Sequence, residues 1–264
     1  MQQCRWKPAY TPTTIHAVSL LSRTRPIIRT MIIMITTMTD RATCPVFITA
    51  TGTDIGKSYV TAGLVRAFIR AGQQVQALKP VLSGTAHPPT DADLLMEALR
   101  ERPDADDPDL DEIAPWRFAA PLSPDMAAEQ EGRRIPFDAL IRHCAKPRTG
   151  QVLIEGVGGV MVPLDQSHTV LDWIAALQPR ILLVAGTYLG TISHTLTALS
   201  ALQARGLSAD WLVLNESPSQ PVAAQKTAST LTRFGAPLPF ILPRQAEEAT
   251  FDQLFRLITA EHRP

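Results

Sequence analysis

The sequence predicts a single α/β domain in which helices cover both faces of a parallel β-sheet. Short apolar runs, each long enough for one strand, alternate with segments of helical periodicity along most of the 264 residues. The runs end at polar or glycine-rich positions, which is typical of buried strands in parallel sheets. The length and the hydrophobic content of 45% are enough for one sizeable core. We expect this domain to occupy residues 45–264.

An N-terminal extension, residues 1–44, differs in composition from the rest. Through Thr39 it contains five Lys or Arg residues and no Asp or Glu, and its apolar residues follow no clean period. Such a composition is typical of targeting peptides. We favour a start assigned too far upstream, because Met31, Met34 and Met38 are alternative starts. Under either interpretation we expect the extension to be disordered.

The overall composition argues against several classes of protein. The 25 basic and 25 acidic residues cancel, which gives no support for a nucleic-acid partner. No apolar run approaches the roughly 20 residues of a membrane-spanning helix, so we expect no membrane partner. Cys4, Cys44 and Cys144 are scattered outside any C-x-x-C pair, which argues against a zinc site and favours a reducing, cytoplasmic location.

The beginning of the predicted domain has the layout of a phosphate-binding loop. An apolar run over residues 46–48 ends at a small, polar turn, and helical periodicity begins at Val60. Gly56, Lys57 and Ser58 stand at the start of that helix. Glycine lets backbone N–H groups approach phosphate oxygens, and the helix N-terminus adds partial positive charge. The lysine can reach the β- and γ-phosphates, and the serine hydroxyl can bind Mg²⁺.

The loop departs from the usual spacing, G-x-x-x-x-G-K-[ST]. Thr51 occupies the first glycine position, Gly52 lies one residue late, and a loop with five intervening residues begins at Ala50. A glycine turn that ends in Gly-Lys-Ser by chance is the alternative. We favour a variant phosphate-binding loop, because strand, turn and helix follow each other as phosphate binding requires.

Two further polar residues follow strands that we expect in the same sheet. Lys79 follows a short strand over residues 74–78, at the edge where open α/β sheets bind ligands; a solvated surface lysine is the alternative. Glu155 ends an apolar strand over residues 151–155 and precedes a glycine run. A carboxylate in that position is typical of a second Mg²⁺ ligand, and a helix cap or a salt bridge is the alternative.

Two aspartates near the start of the next predicted helix have no clear role from the sequence pattern. Asp91 and Asp93 introduce a helical run, and either residue could be an N-terminal cap or project toward a metal. The pattern does not decide between them.

Residues 101–112, which are acidic and contain two prolines, predict a solvated loop. Residues 118–124, with prolines at 121 and 124, predict a rigid loop.

The rest of the chain continues the alternation. Strands over 181–185, 211–214 and 237–242 alternate with helices that end near residues 205 and 261. Parallel strands bring their carboxyl ends to one edge, where the unusual polar residues collect: Thr53 to Ser58, Lys79, Glu155, Gly186 to His194, and Asn215. A phosphate loop, Mg²⁺ ligands and a second lysine indicate phosphoryl transfer. They do not separate an enzyme from a nucleotide-switched partition ATPase.

The motifs and their order resemble the dethiobiotin synthase family, from Val46 to the C-terminus. The Lys-Pro-Val-x-Ser-Gly and Glu-Gly-x-Gly-Gly segments are its most specific part. The resemblance rests on Gly52–Ser58, Lys79–Gly84, Pro121–Pro124, Ile154–Gly159, Gly186–His194 and Asn215. It implies a P-loop-type parallel β-sheet and an ATP-dependent cyclo-ligase of biotin biosynthesis that forms C–N bonds.

The resemblance also implies a reaction. The substrates are 7,8-diaminononanoate, CO₂ or bicarbonate as its source, and ATP with Mg²⁺. One amine captures CO₂ as a carbamate, whose oxygen attacks the γ-phosphate to give a carbamic–phosphoric anhydride. The second amine then attacks the carbonyl and expels phosphate, so that the products are dethiobiotin, ADP and phosphate. A homodimer is implied as well, in which the Leu189 to His194 loop of one subunit reaches the substrate of the other.

The family's site residues can be transferred to the matching positions. The resemblance assigns catalysis to Lys57, Lys79 and Thr53, and Mg²⁺ binding to Ser58, Asp91 and Glu155. It assigns ATP binding to Thr53, Asp54, Ile55, Gly56, Lys57, Ser58, Glu155, Gly156, Gly158 and Asn215, of which Asn215 would read adenine. It assigns binding of the diamine substrate to Lys79, Ser83, Leu189 and Gly190.

Three positions depart from the family pattern. Ala50, Asp54 and Asp125 stand where a glycine, a glutamate and a histidine are common in the family.

Two rival functions remain. A cobyrinate diamide synthase-like ligase would need a nucleophilic cysteine, but Cys144 lacks the glycine-rich turn of such a nucleophile. A partition ATPase usually needs a basic surface or an amphipathic anchor, and residues 45–264 indicate neither.

Overall fold

The computed structural model describes residues 44–103 and 106–260. Apart from Cys44, the expected N-terminal extension lies outside the described residues. The strands are β1 Val46–Ala50, β2 Val75–Leu78, β3 Val81–Ser83, β4 Trp116–Phe118, β5 Gln151–Glu155, β6 Arg180–Ala185, β7 Trp211–Asn215 and β8 Phe240–Leu242. The helices are α1 Lys57–Arg70, α2 Asp91–Arg100, α3 Leu110–Ile113, α4 Pro124–Gln130, α5 Phe137–Cys144, α6 Val170–Leu177, α7 Thr191–Ala204, α8 Ala224–Arg233 and α9 Glu248–Ala260.

The main sheet of the described chain has six strands in the order β2-β5-β1-β6-β7-β8. Every neighbouring pair in it is parallel. The central strand β1 is buried along its whole length, as expected for a strand covered on both faces. The predicted parallel sheet is therefore confirmed, and its order places β1 between β5 and β6.

Two apolar clusters lie on opposite faces of this sheet. Successive side chains of a strand point to opposite faces, and β1 accordingly sends Phe47 into one cluster and Val46 and Ile48 into the other. Helices α1, α2 and α9 cover the second face, and α4 to α8 cover the first. The α/β fold with helices on both faces, predicted from the alternation of apolar runs, is confirmed.

The structure differs from the expectation in its short elements. The predicted loop over residues 101–112 contains the beginning of α3, and the predicted loop over 118–124 begins at the end of β4 and ends at the start of α4. Strands of three residues and helices of four to eight carry too little periodicity to be recognised. The last strand begins at Phe240 rather than at Pro237, because prolines at 237 and 239 lack the N–H group that a strand ladder needs.

The first face depends on an aromatic pair at its centre. The rings of Phe47 in β1 and Trp173 in α6 meet edge to face with 4.8 Å between centroids, and both residues are fully buried. We expect Trp173→Ala to lower the free energy of unfolding by about 3–5 kcal/mol, since it leaves a cavity at the sheet centre. Urea denaturation of the full chain measures this change.

Phe234→Ala is the matched control, because Phe234 is 63% exposed. Its effect on the free energy of unfolding should stay within about 0.5 kcal/mol. Equal losses in the two variants would contradict the assignment of the Phe47–Trp173 pair to the core.

Candidate active site

A cleft of about 860 Å³ opens at the carboxyl ends of the central strands. Nine of the predicted site residues line it: Thr53, Asp54, Gly56, Lys57, Ser58, Lys79, Ser83, Asp91 and Gly158. These residues come from four separate parts of the chain. The sheet therefore collects the polar residues that the sequence places at strand ends.

Strand register explains why the charged residues meet. In the β2–β5 pair, Leu78 lies opposite Ile154, so that the residues that follow them, Lys79 and Glu155, are neighbours. In the β1–β5 pair, Ile48 lies opposite Glu155, which places the carboxylate beside the strand that leads into the phosphate loop. A shift of one residue in either register would turn Glu155 to the other face.

The phosphate loop ends on Gly56, which is the N-cap of α1. Gly56 adopts a left-handed conformation, with φ 92°. A Cβ atom there would lie 2.3 Å from Nδ2 of Asn215, so both the backbone angle and the space require glycine. No side chain caps this helix end, and its first turn contains no acidic residue. The N-terminal N–H groups of α1 therefore remain available for an anionic ligand.

Lys57 lies at the start of α1 and its side chain is buried. Its Nζ donates a hydrogen bond to the carbonyl of Gly52, 3.1 Å away. Burial, and secondly the positive charge of Lys79, lower the pKa of Lys57 to about 8. A bound anion would relieve both effects, so the position favours binding of phosphate oxygens.

Lys79, Glu155, Asp91 and Ser58 form one connected network. The Lys79 Nζ donates to Oε1 of Glu155 at 2.7 Å and to the carbonyl of Gly156 at 2.8 Å. It also lies 3.0 Å from Oδ2 of Asp91, and the Ser58 hydroxyl donates to Oε1 of Glu155 at 2.7 Å. Lys79 and Glu155 are almost completely buried. The alternative of a solvated surface lysine is thereby excluded.

The network keeps its charges despite burial. Burial by itself would lower the pKa of Lys79, but the charges of Glu155 and Asp91 outweigh it and raise that pKa above its usual value. Burial would raise the pKa of Asp91, but the charge of Lys79 outweighs it and lowers that pKa. Both groups are therefore ionised at neutral pH.

One oxygen of Glu155 remains without a partner. Oε2 is buried and accepts no hydrogen bond from the described residues. A buried carboxylate oxygen in that state points to a group that the protein atoms do not supply. Together with Ser58 and Asp91, Glu155 offers the hard oxygen ligands that Mg²⁺ prefers.

The structure separates the two aspartates that the sequence leaves open. Oδ2 of Asp93 accepts a hydrogen bond from the Thr90 N–H at 2.7 Å, and the Thr90 hydroxyl accepts one from the Asp93 N–H at 3.3 Å. This reciprocal pair is a capping box at the start of α2. Asp93 is thus the cap partner, whereas Asp91 lines the cleft and contacts Lys79.

Six predicted residues are not among those that line the cleft: Ile55, Glu155, Gly156, Asn215, Leu189 and Gly190. Asn215 donates through Nδ2 to the carbonyl of Ile55, 2.9 Å away, so it contacts the phosphate loop from the side of β7. Leu189 and Gly190 do not line the cleft of their own chain. Leu189 is 85% exposed, and Gly190 is the N-cap of α7.

Sequence reasoning missed several residues that line the cleft. Tyr59, His87, Leu94, Val157 and Val162 contribute to its walls. These residues belong to no recognisable sequence motif. Their only sequence signal is that they lie close in the chain to Ser58, Asp91 and the glycine run.

The environment of Cys144 bears on the rival ligase function. Cys144 is buried, and burial raises the pKa of its thiol to about 12, so it is not a nucleophile at neutral pH. In residues 44–103 and 106–260, the helices are too short or too polar to cross a bilayer.

Comparison with known proteins shows which family this chain resembles in sequence. Residues 45–247 match the profile of a family described as an AAA domain. The ATP-dependent dethiobiotin synthetase BioD of Acidiphilium cryptum (strain JF-5) is 48% identical over 193 residues, 71% of this chain and 86% of that protein. The ATP-dependent dethiobiotin synthetase BioD of Caulobacter sp. (strain K31) is 46% identical over 204 residues, 75% of this chain and 87% of that protein.

Among solved structures, the Pyrococcus furiosus cell division ATPase MinD is similar to this chain. The TM-score is 0.53 at 15% identity, and the match covers 82% of this chain and 99% of that one. At this identity the likeness concerns the fold alone. The sequence relatives, at 46–48% identity over most of both chains, are what identify the chain as a member of the ATP-dependent dethiobiotin synthetase family.

Proposed function

We propose that the chain catalyses the ATP-dependent closure of the ureido ring of dethiobiotin from 7,8-diaminononanoate and CO₂, or bicarbonate as its source. One amine attacks CO₂ and loses a proton to give a carbamate. The carbamate oxygen attacks the γ-phosphorus of ATP and displaces ADP. The second amine then attacks the carbonyl carbon, expels phosphate and closes the ring. Two C–N bonds form, and one phosphoanhydride bond is spent.

The observation that carries this proposal is the convergence of Lys57, Lys79 and Asp91 on one cleft, with the buried carboxylate of Glu155 in contact with Lys79. A carbamate and a triphosphate are both anionic, and they repel each other unless cations lie between them. Lys57, at the helix N-terminus, would face the phosphates, and Lys79, at the carboxyl end of β2, would face the carbamate oxygens. Positioning and charge neutralisation supply the rate, because the route needs no covalent bond to a side chain.

Magnesium fits the residues that are present. Ser58, Asp91 and the unpartnered Oε2 of Glu155 would hold it, and it would supply further positive charge against the phosphates. Thr53, Asp54, Ile55 and Gly56 would hold the phosphates with their backbone groups. Gly156 and Gly158 would border the nucleotide, Asn215 would face the adenine, and Ser83 would face the diamine. Thr53 would lie nearest the reacting groups.

A homodimer completes the proposal. Leu189 and Gly190 lie outside the cleft of their own chain, and Leu189 exposes 85% of its surface. The loop that carries them would reach the diamine in the cleft of a second copy. The N-terminus of α7, which Gly190 caps without a side-chain partner, would offer N–H groups to the substrate carboxylate. We further propose that the enzyme works in the cytoplasm.

The reaction is tested by measuring phosphate release from ATP with and without diaminononanoate and bicarbonate. We expect release to require both, with formation of dethiobiotin confirmed by mass spectrometry. ATP hydrolysis that ignores the diamine would instead indicate a switch ATPase with the same fold.

Lys57→Ala should reduce kcat/KM for ATP by at least about 30-fold, equivalent to more than about 2–3 kcal/mol of transition-state stabilisation. The physical reason is the loss of a cation beside the phosphates. Lys226→Ala is the matched control, since Lys226 lies on the exposed face of α8. Near wild-type turnover in Lys57→Ala would rule out this loop as the phosphate site.

Lys79→Ala should abolish most of the phosphate release that depends on the diamine. The same change leaves Glu155 buried without its cation, which should lower the free energy of unfolding by about 3–5 kcal/mol. Thermal denaturation of the variant therefore sets the temperature for the assay, so that the folded enzyme is compared. An unchanged diamine-dependent rate in the folded variant would contradict a role for Lys79 in carbamate binding.

A further inference from the structure

Two loops beyond the cleft are joined by a reciprocal pair of hydrogen bonds. The N–H of Thr187 donates to Oγ of Ser217, and the N–H of Ser217 donates to Oγ1 of Thr187, each at 2.9 Å. We name this pair the Thr187–Ser217 clasp. Thr187 is 1% exposed, so loss of either hydroxyl would leave a poorly solvated N–H without its acceptor.

The clasp holds the loop that precedes α7. Gly186 packs so closely that a Cβ atom would lie 2.7 Å from Oγ of Ser217 and 2.7 Å from the ring of Tyr188. The Thr191 hydroxyl, in the first turn of α7, donates to the carbonyl of Gly186 at 2.7 Å. Movement of Ser217 would therefore carry the loop of residues 186–190 with it.

The other side of the clasp leads to the phosphate loop. Ser217 lies two residues after Asn215, whose Nδ2 donates to the carbonyl of Ile55. The N–H of the intervening residue, Glu216, donates to the carbonyl of Leu242 at 2.9 Å. This bond anchors the connection to β8. A continuous set of contacts thus runs from the phosphate loop to the N-terminus of α7.

We propose that the Thr187–Ser217 clasp couples the nucleotide in one subunit to the diamine in its partner. A nucleotide on the phosphate loop would fix the position of Ile55, and Asn215, which donates to the Ile55 carbonyl, would pass that restriction to the carboxyl end of β7. The clasp would transmit that restriction to residues 186–190. Leu189 lies outside its own cleft, and in the proposed homodimer the loop that carries it would act on the second copy. Thr187 and Ser217 are positioning residues in this scheme, and the scheme rests on the proposed function.

The coupling is measured as the change in the Kd of diaminononanoate caused by a saturating, non-hydrolysable ATP analogue with Mg²⁺. In the wild-type enzyme we expect calorimetry to show about five- to tenfold tighter diamine binding with the analogue, within the usual range for coupled sites. Thr187→Val and Ser217→Ala should each reduce this ratio to near one. Thr187→Val removes the bond from the Ser217 N–H, and Ser217→Ala removes the bond from the Thr187 N–H. The double variant lacks both bonds, and its ratio should also be near one.

Two further variants distinguish a loss of coupling between the two ligands from a general loss of protein stability. Thr187→Ser keeps the hydroxyl and should retain the ratio. Thr195→Val is the matched control, since Thr195 is a buried threonine whose hydroxyl donates only within α7, to the carbonyl of Thr191 at 2.7 Å. Melting temperatures from calorimetry should fall by comparable amounts in Thr187→Val and Thr195→Val, whereas only the former loses the ratio.

The outcomes distinguish the two levels of the proposal. A wild-type ratio near one would overturn the coupling, and so would a Thr187→Val enzyme that keeps the wild-type ratio. In both cases the proposed function still holds if phosphate release depends on the diamine. A wild-type enzyme without diamine-dependent phosphate release would overturn both.

Discussion

The site depends on one buried ion pair, between Lys79 and Glu155. Removing two charges from water is costly, and a buried pair is tolerated only when its geometry is good and its remaining polar atoms are satisfied. Here the ammonium has three acceptors, in Glu155, Asp91 and the Gly156 carbonyl, and Oε1 of Glu155 has two donors. Oε2 of Glu155 is the one atom of the pair without a partner among the described residues. The Lys79 ammonium, whose pKa the neighbouring carboxylates raise, lies beside the phosphate loop.

The order of the sheet strands makes this pair possible. β5 is far from β1 and β2 in the sequence, yet it lies between them in the sheet. Its last residue consequently faces the phosphate loop on one side and Lys79 on the other. The arrangement follows the general rule that open parallel sheets bind ligands at the carboxyl ends of their strands.

The fold itself does not determine the reaction. A cell division ATPase has a similar fold at 15% identity, and a phosphate loop serves switches as well as ligases. The family of this chain follows instead from its sequence similarity to ATP-dependent dethiobiotin synthetases. The loops before α7 and after β7 add a physical connection between the nucleotide side and the proposed subunit contact.

The local features could be predicted from the order of the amino acids. Gly56, Lys57 and Ser58 lie within three residues, and the apolar runs of β1, β5 and β6 are long enough to be recognised, so short-range patterns sufficed. The three-residue strands β3 and β4 carry no usable period, and their pairing arises only in the folded chain.

Three features depend on the folded chain: which aspartate faces the cleft, the burial of Lys79, and the position of Leu189 away from its own cleft. Asp91 and Asp93 have the same residue type and nearly the same position. The hydrogen bonds of Thr90 separate them, and contacts between distant segments separate a buried lysine from a solvated one. Sequence spacing describes neighbours along the chain, whereas burial and charge pairing depend on neighbours in space.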